Sequence, residues 1–187
     1  MKTNIIPAIR LTLFCAVFFS GIYTMSIWGV AQLAPNQGNG FVTNNNGKRY
    51  HTNVAQSFTK DQYFWPRPSA VDYNAAGSGG SNKGPSNPEY LALVQSRIDT
   101  FLLKNPGIAK KEIPAEMVTA SGSGLDPHLS LAAASIQVKR IAKARNVSEI
   151  QVNQLIAQHL EKPLLGLLGT EKLNVLQLNL ALDKLKQ

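Results

Sequence analysis

From Leu11 to Leu33 the chain places 16 apolar residues in 23, interrupted only by Thr, Ser, Gly and Gln. Wound as a helix, this stretch measures ~34 Å and crosses a ~30 Å hydrocarbon core with slight tilt. Past it the pattern changes. Phe41-Val42-Thr43 and Tyr50 to Phe58 flank Asn45-Asn46-Gly47, which predicts a β-hairpin turning on an Asn-Gly that accepts positive φ. Tyr63-Phe64-Trp65-Pro66-Arg67-Pro68 follows, and its two prolines forbid helix and argue against a central strand. From Asn74 to Pro88, 12 of 15 residues are Asn, Gly, Ser or Pro, which reads as a flexible linker or as a long loop docked on a partner.

The second half is written in helical periods. Asn87-Pro88 predicts an N-cap and first helical position, and Leu91, Val94, Ile98, Phe101 and Leu102 form a stripe at 3.6 spacing up to Lys104. Asn105-Pro106-Gly107 stops it. Met117 to Ala120 is expected as a short strand and Ser121 to Leu129 as a loop. Ser130 then caps a helix to about Arg145. Ser148 with Gln151 forms a capping box for a helix carrying Val152, Leu155, Ile156 and Leu160, ended by Pro163. In the tail, Leu176, Leu178, Leu180 and Leu182 alternate like a strand, yet the composition favours a helix capped by Asn174. The expected fold class is α+β: a cytoplasmic N-terminus over 1–10, one transmembrane helix over 11–33, and one small extracytoplasmic domain over 34–187.

Charge sharpens this layout. The 187 residues hold 19 Lys and Arg against 11 Asp and Glu, a formal +8, but only 16% are charged, below the ~25% of an average soluble domain. None of these lies between Arg10 and Lys48. Lys2 and Arg10 precede the apolar run, so the positive-inside rule puts the N-terminus in the cytoplasm and the remainder outside, with Trp28 as an interfacial anchor. A cleaved signal peptide is the alternative, with Gly29-Val30-Ala31 as its small-x-small site, but the apolar run exceeds the 7–15 residues of such segments. The part beyond residue 33 carries +6. Cys15, the one cysteine, lies in the span, as a buried thiol or a lipid attachment point; the outer part has no disulfide or cysteine metal site.

Chemistry-bearing motifs are weak. Ser121-Gly122-Ser123-Gly124 precedes a helix, and backbone amides there can receive an anion, but no Gly-Lys-Ser/Thr follows; Gly79-Gly80-Ser81-Asn82-Lys83-Gly84 fails the same pattern. Ser123, Asp126 and His128 have triad chemistry but no nucleophile elbow, and Asp126 reads better as a loop-closing carboxylate. His51, His128 and His159 are scattered, so no metal site is expected. Lys139, Arg140, Lys143 and Arg145 read as a solvated basic face, with an acidic partner or lipid headgroups as the alternative. Asn146-Val147-Ser148 is a sequon that matters only in a glycosylating host. Tyr63, Phe64 and Trp65 alternate sides on an extended segment, so at least one is expected to meet a partner or lipid.

Several segments, in order, resemble the C subunit of the bacterial Kdp potassium-transporting ATPase. They are Tyr63-Phe64-Trp65-Pro66-Arg67-Pro68-Ser69-Ala70, Ser78-Gly79-Gly80-Ser81-Asn82, Gly84-Pro85-Ser86-Asn87-Pro88, Val118 through His128, Gln137-Val138 with Ala142-Lys143-Ala144-Arg145, and Asn174 through Asp183. Lys83 stands where that family commonly has Leu, and Gly38 where Ala usually precedes Asn-Gly. The resemblance implies a non-hydrolytic accessory subunit of an ATP-driven, high-affinity potassium import complex in the bacterial inner membrane. Its partners would be a channel-like potassium-translocating subunit, a P-type ATP-hydrolysing subunit and the bilayer, with no nucleic acid.

The family role is a catalytic chaperone that raises the ATP affinity of the pump subunit. Nucleotide contact would then fall on Gln137, with Ser121, Gly122, Ser123 and Gly124 nearby; no catalytic or metal residue and no tightly bound cofactor is implied. Partner contact is expected at Tyr63, Phe64, Trp65, Arg67, Gly79, Gly80 and Asn82. The charge asymmetry opposes the nucleotide role, because it puts Gln137 on the face of the membrane away from ATP. A docking domain over the potassium entrance is the preferred reading, with Ser20, Gly21 and Gly29 permitting close helix approach. A membrane-anchored envelope binding module or adhesin unrelated to transport is the alternative, and a stand-alone secreted enzyme lacks a site cluster.

Overall fold

A computed structural model describes residues 4–45 and 47–185, so Lys2 and the hairpin's Asn46 lie outside the described residues. Two compact units emerge. The first takes the N-terminal residues through Asn44 together with Lys48–His51; the second takes Asn45–Gly47 and everything from Thr52 onward.

The first unit is dominated by α1, Ile5–Gln32, an uninterrupted helix of 28 residues that contains an 18-residue stretch with mean hydropathy 2.0. Its middle, Val17–Tyr23, is π-helical. There Thr24 donates its hydroxyl to the Phe19 carbonyl at 2.8 Å, and Ser26 donates to Ile22 at 2.8 Å, so these polar side chains are satisfied within the helix. No residue of α1 is buried. Apolar on every side, the helix has the composition of a segment surrounded by hydrocarbon. Strands β1 (Val42–Asn45) and β2 (Lys48–His51) pair as the expected hairpin, with Gly47 at φ +74°. The second strand stops at His51 rather than reaching Phe58.

The second unit is α+β. Its sheet is short: β3 (His128–Leu129), β4 (Leu160–Glu161) and β5 (Lys172–Asn174), ordered β3-β5-β4 and antiparallel throughout. The register lines Leu129, Leu173 and Leu160 across the three strands. Leu173 is fully buried and Leu129 nearly so. Helices α3 (Leu131–Ser135), α5 (Glu149–His159) and α6 (Val175–Leu182) pack against β5, and α4 (Val138–Arg145) packs on α5. Phe64, Phe101, Met117, Ile141, Val152, Leu178 and Leu182 complete the core. Helix α2 (Pro88–Lys104) lies outermost; of its stripe only Phe101 is buried, and Leu91 is exposed.

Local signals explain the helix ends. Side chains of Asn87, Ser130, Ser148 and Asn174 accept bonds from the backbone N–H of Tyr90, Ala133, Gln151 and Gln177, and Gln151 returns a bond to Ser148 N–H. Three expectations are corrected, and a fourth, the Asn174-capped helix, is borne out with a strand before it. Residues 117–120 are not a strand: Pro114 opens a 3₁₀ turn, Ala115–Met117, and Glu116 bonds the Ser130 cap. The helix from Ser130 to Arg145 is two helices, divided at Ile136 and Gln137, where Gln137 N–H tightens onto the Ala134 carbonyl at 3.0 Å. Leu160 belongs to β4 because pairing with Leu173 satisfies its backbone, so α5 ends at His159, before Pro163. Residues Lys172 and Leu173 are strand ahead of the Asn174-capped helix.

Candidate functional site

The Tyr63–Trp65 segment leaves the turn at residues 61–63 without regular structure and pairs with side chains instead of another strand. Asn179, buried on α6, accepts from Phe64 N–H at 2.8 Å and donates to Phe64 C=O at 3.0 Å, the pattern a neighbouring strand would supply. Gln137, fully buried at the start of α4, accepts from Trp65 N–H at 2.8 Å and donates to Ala133 C=O at 3.0 Å. Its oxygen also accepts from Arg140 Nη2 at 2.7 Å. Arg140 donates to the carbonyls of Asp61 and Tyr63 and, through Nε, to Asn105 Oδ1 at 3.0 Å. Arg145 donates to Gln62 C=O at 2.7 Å and Leu182 C=O at 3.0 Å, and pairs with Asp183 at 2.7 Å. Four consecutive carbonyls, 61 to 64, are thus bound by side chains from α4 and α6.

The same arginines cover the aromatics. The Arg140 guanidinium lies 4.4 Å from the Trp65 ring centroid and that of Arg145 lies 4.9 Å from Tyr63. Phe64 points into the core with no exposure. The alternation problem of three adjacent aromatics is therefore solved inside the chain: Phe64 goes inward, and its neighbours, half-buried, carry a cation on one face. Arg140 and Arg145 are not part of a solvated basic face. Burial lowers the Arg140 pKa from 12.5 to about 10, against the opposing pull of Asp61, so it stays protonated at neutral pH. Nothing in the local sequence marks Asn105, Asn179 or these two arginines as one cluster; the sole signal is a polar residue amid leucines in Leu178-Asn179-Leu180.

A second assembly joins the two glycine-rich stretches. Gly79 N–H and Ser78 Oγ both donate to Ser123 C=O, at 2.9 and 3.0 Å, and Ser121 N–H donates to Pro68 C=O at 3.1 Å. Gly124 sits at φ +68°, where a Cβ would come 2.6 Å from Val71 Cγ2 and 2.8 Å from Gly79 O. A Cβ on Gly80 would meet Gly122 O at 3.0 Å. The glycines serve close approach between backbones. The stretch read as linker or docked loop is docked at Gly79, on its own chain, whereas Asn82 is exposed at φ +52°. Ser121 is buried, while Gly122 and Ser123 face solvent.

Beside this, Arg67 pairs with Asp126 at 2.7 Å, and Asp126 accepts from His128 N–H at 3.0 Å, the expected loop closure. Bonding to the His128 side chain, opposed by partial burial and aided by that backbone bond and by Arg67, holds the Asp126 carboxyl down at about 2. Ser123 Oγ accepts from Leu125 N–H, so it is turned away from triad chemistry. Lys83, at its unusual position, pairs with Glu89 at 2.9 Å. Lys139 and Lys143 remain exposed on the wall of a cavity of about 740 Å³ between the 103–108 turn and α4. Among the described residues, no three metal-ligating side chains of His, Cys, Asp or Glu gather. In the first unit, Arg10 and Trp28 are exposed on α1 and Cys15 is half-buried, while nothing described fills the space beside Gly21 and Gly29.

Comparison with known proteins turns these features into an assignment. Residues 5–184 match the family model described as KdpC: K+-transporting ATPase, c chain. A protein of Flavobacterium psychrophilum named as the potassium-transporting ATPase KdpC subunit is 55% identical over 184 residues, covering 98% of this chain and 99% of the relative. The subunit of that name from Bacteroides thetaiotaomicron is 53% identical over the full length of both, and one from Geobacter sulfurreducens is 47% identical over 96% of each. The ordered motifs, the spanning-length α1 and the near-complete coverage agree: the chain belongs to the KdpC family, the c chain of K+-transporting ATPases, as an accessory subunit of a potassium import complex.

Proposed function

We propose that the folded domain works by docking, outside the cell membrane, on the channel-like potassium-translocating subunit and stabilising the complex with the P-type subunit. α1 then packs beside that channel subunit through its Gly21 and Gly29 face. The observation that carries this reading is the saturation of Gln137. Its amide is fully buried, accepts from Trp65 and Arg140, and donates to Ala133. A nucleotide would have to break these bonds and leave the Trp65 N–H and the Arg140 cation unpartnered. The family role in raising ATP affinity is accordingly conformational, exerted on the pump subunit through assembled contacts. The Lys2 and Arg10 side of α1 faces the cytoplasm in this arrangement, which separates the domain from ATP.

Gln137→Ala tests it. The full chain should lose about 2 to 4 kcal/mol of unfolding free energy as the buried partners are orphaned, while complex that does assemble keeps its half-saturating ATP concentration. An unchanged melting temperature with a raised ATP requirement would restore the direct nucleotide contact.

A further inference from the structure

The connection between β4 and β5, residues 162–171, has at its centre Pro163-Leu164-Leu165-Gly166-Leu167-Leu168-Gly169, seven residues with no polar side chain. It does not fold back on the core. Leu164, Leu165, Leu167 and Leu168 are 67%, 84%, 85% and 62% exposed. Four leucines at these exposures present an apolar surface of roughly 500 Å², the scale at which a single patch on a monomer marks an interaction site.

The loop's backbone is already closed upon itself. Leu164 N–H donates to Leu168 C=O, Gly166 N–H to Pro163 C=O, and the N–H groups of Leu167 and Leu168 both to Leu164 C=O, at 2.9 to 3.2 Å. Leu165, Gly166 and Gly169 all take positive φ to make this turn. A non-glycine residue in that region is uncommon, and here it throws the Leu165 side chain outward. With these four N–H groups spent internally, the tip strands fewer backbone donors on entering an apolar environment than an open loop would.

We infer that this leucine tip is a docking knob that inserts into an apolar groove on another subunit of the same complex. Charge decides between a protein groove and the lipid surface. The strands at the base carry Glu161 and Lys172, paired at 3.6 Å, with Lys162 and Glu171 adjacent, so the base is electrically balanced. A loop that enters lipid headgroups is favoured by excess cations and by Trp, Tyr or Phe at the boundary, and this one has neither. The inference rests on the reading that the folded domain docks on a partner subunit, and it names the surface that does so.

The test uses the full chain co-expressed with the other subunits, in a Cys15→Ser background that leaves no native cysteine. A photoreactive benzophenone is attached to a cysteine at Leu165 or, for comparison, at Leu91 or Ile150, both exposed elsewhere on the domain. Cross-linking from Leu165→Cys into another subunit is expected. Cross-linking from Leu165→Cys to lipid alone, or to nothing, while Leu91→Cys or Ile150→Cys captures a subunit, overturns the knob and leaves docking intact. Capture from none of the three overturns both. In parallel, Leu165→Asp with Leu167→Asp should cut recovery of the other subunits with the tagged chain at least tenfold, with an unchanged circular dichroism spectrum. Full recovery with that spectrum overturns the knob.

Discussion

At the scale of single residues, the molecule's polar chemistry is turned inward. Asp126 illustrates this: its carboxylate holds both Arg67 and the His128 turn, and its pKa falls from 3.8 to about 2. A carboxyl depressed on folding adds stability that is complete above its unfolded value and disappears as pH falls through the folded one. Asp126→Asn should therefore cost about 1 to 2 kcal/mol above pH ~4, after allowance for partial solvent screening, and the gap to the parent should close as pH approaches ~2. Urea melts of the two proteins across that window measure it, and a gap independent of pH contradicts the assignment. Tyr73 is another inward group: burial raises its phenol to about 12, and its hydroxyl donates to Arg67 C=O at 2.9 Å. Such residues were poorly legible in sequence. Gln137 drew notice only through resemblance, and its actual partner, Trp65, lies 72 residues away; Asn179 and Phe64 are 115 apart. No periodicity relates positions at that distance.

At the scale of elements, legibility follows the range of the forces involved. The caps at Asn87, Ser130, Ser148 and Asn174 are decided within four residues, so all four were readable. Strands β3, β4 and β5 have two or three residues each and exist because Leu173 finds Leu129 and Leu160 on either side, which no local pattern encodes. The paired glycine stretches were visible as composition, but not as partners. Their meeting makes a sharp prediction. Gly124→Ala puts a Cβ at positive φ against Val71 and the Gly79 carbonyl, and should destabilise the protein by about 3 kcal/mol. Gly122→Ala, with nothing within 4 Å, should stay within about 0.5 kcal/mol of the parent. Denaturant unfolding of both variants distinguishes close packing from a generic need for loop flexibility, which would penalise the two alike.

At the scale of the whole molecule, the early charge void acquires a use. α1 supplies 28 residues of helix with no buried face, and the two cations of the N-terminal sequence, Lys2 and Arg10, precede the apolar run that begins at Leu11. The orientation proposed above predicts that a cysteine replacing exposed Ser81, again with Cys15→Ser, reacts with a membrane-impermeant maleimide in cells whose outer barrier alone is opened. Protection until the inner membrane is lysed would reverse the topology and with it the separation of Gln137 from ATP. Within the balance of +8, Arg140 and Arg145 bind internal carbonyls, and the proposed orientation rests on Lys2 and Arg10.

The side-chain clamp on Phe64 also imposes a timetable. Synthesis delivers the aromatic segment 115 residues before the asparagine that pairs both of its peptide groups. Throughout that interval α1 has already been made and is available to the membrane, while Tyr63, Phe64 and Trp65 still lack the helices that cover them. The domain therefore closes from its far end backwards, α6 sealing a segment laid down near the domain's start. Any surface shaped by that seal becomes competent only after nearly the whole chain has emerged, so docking of the kind proposed above would come after α1 has been made.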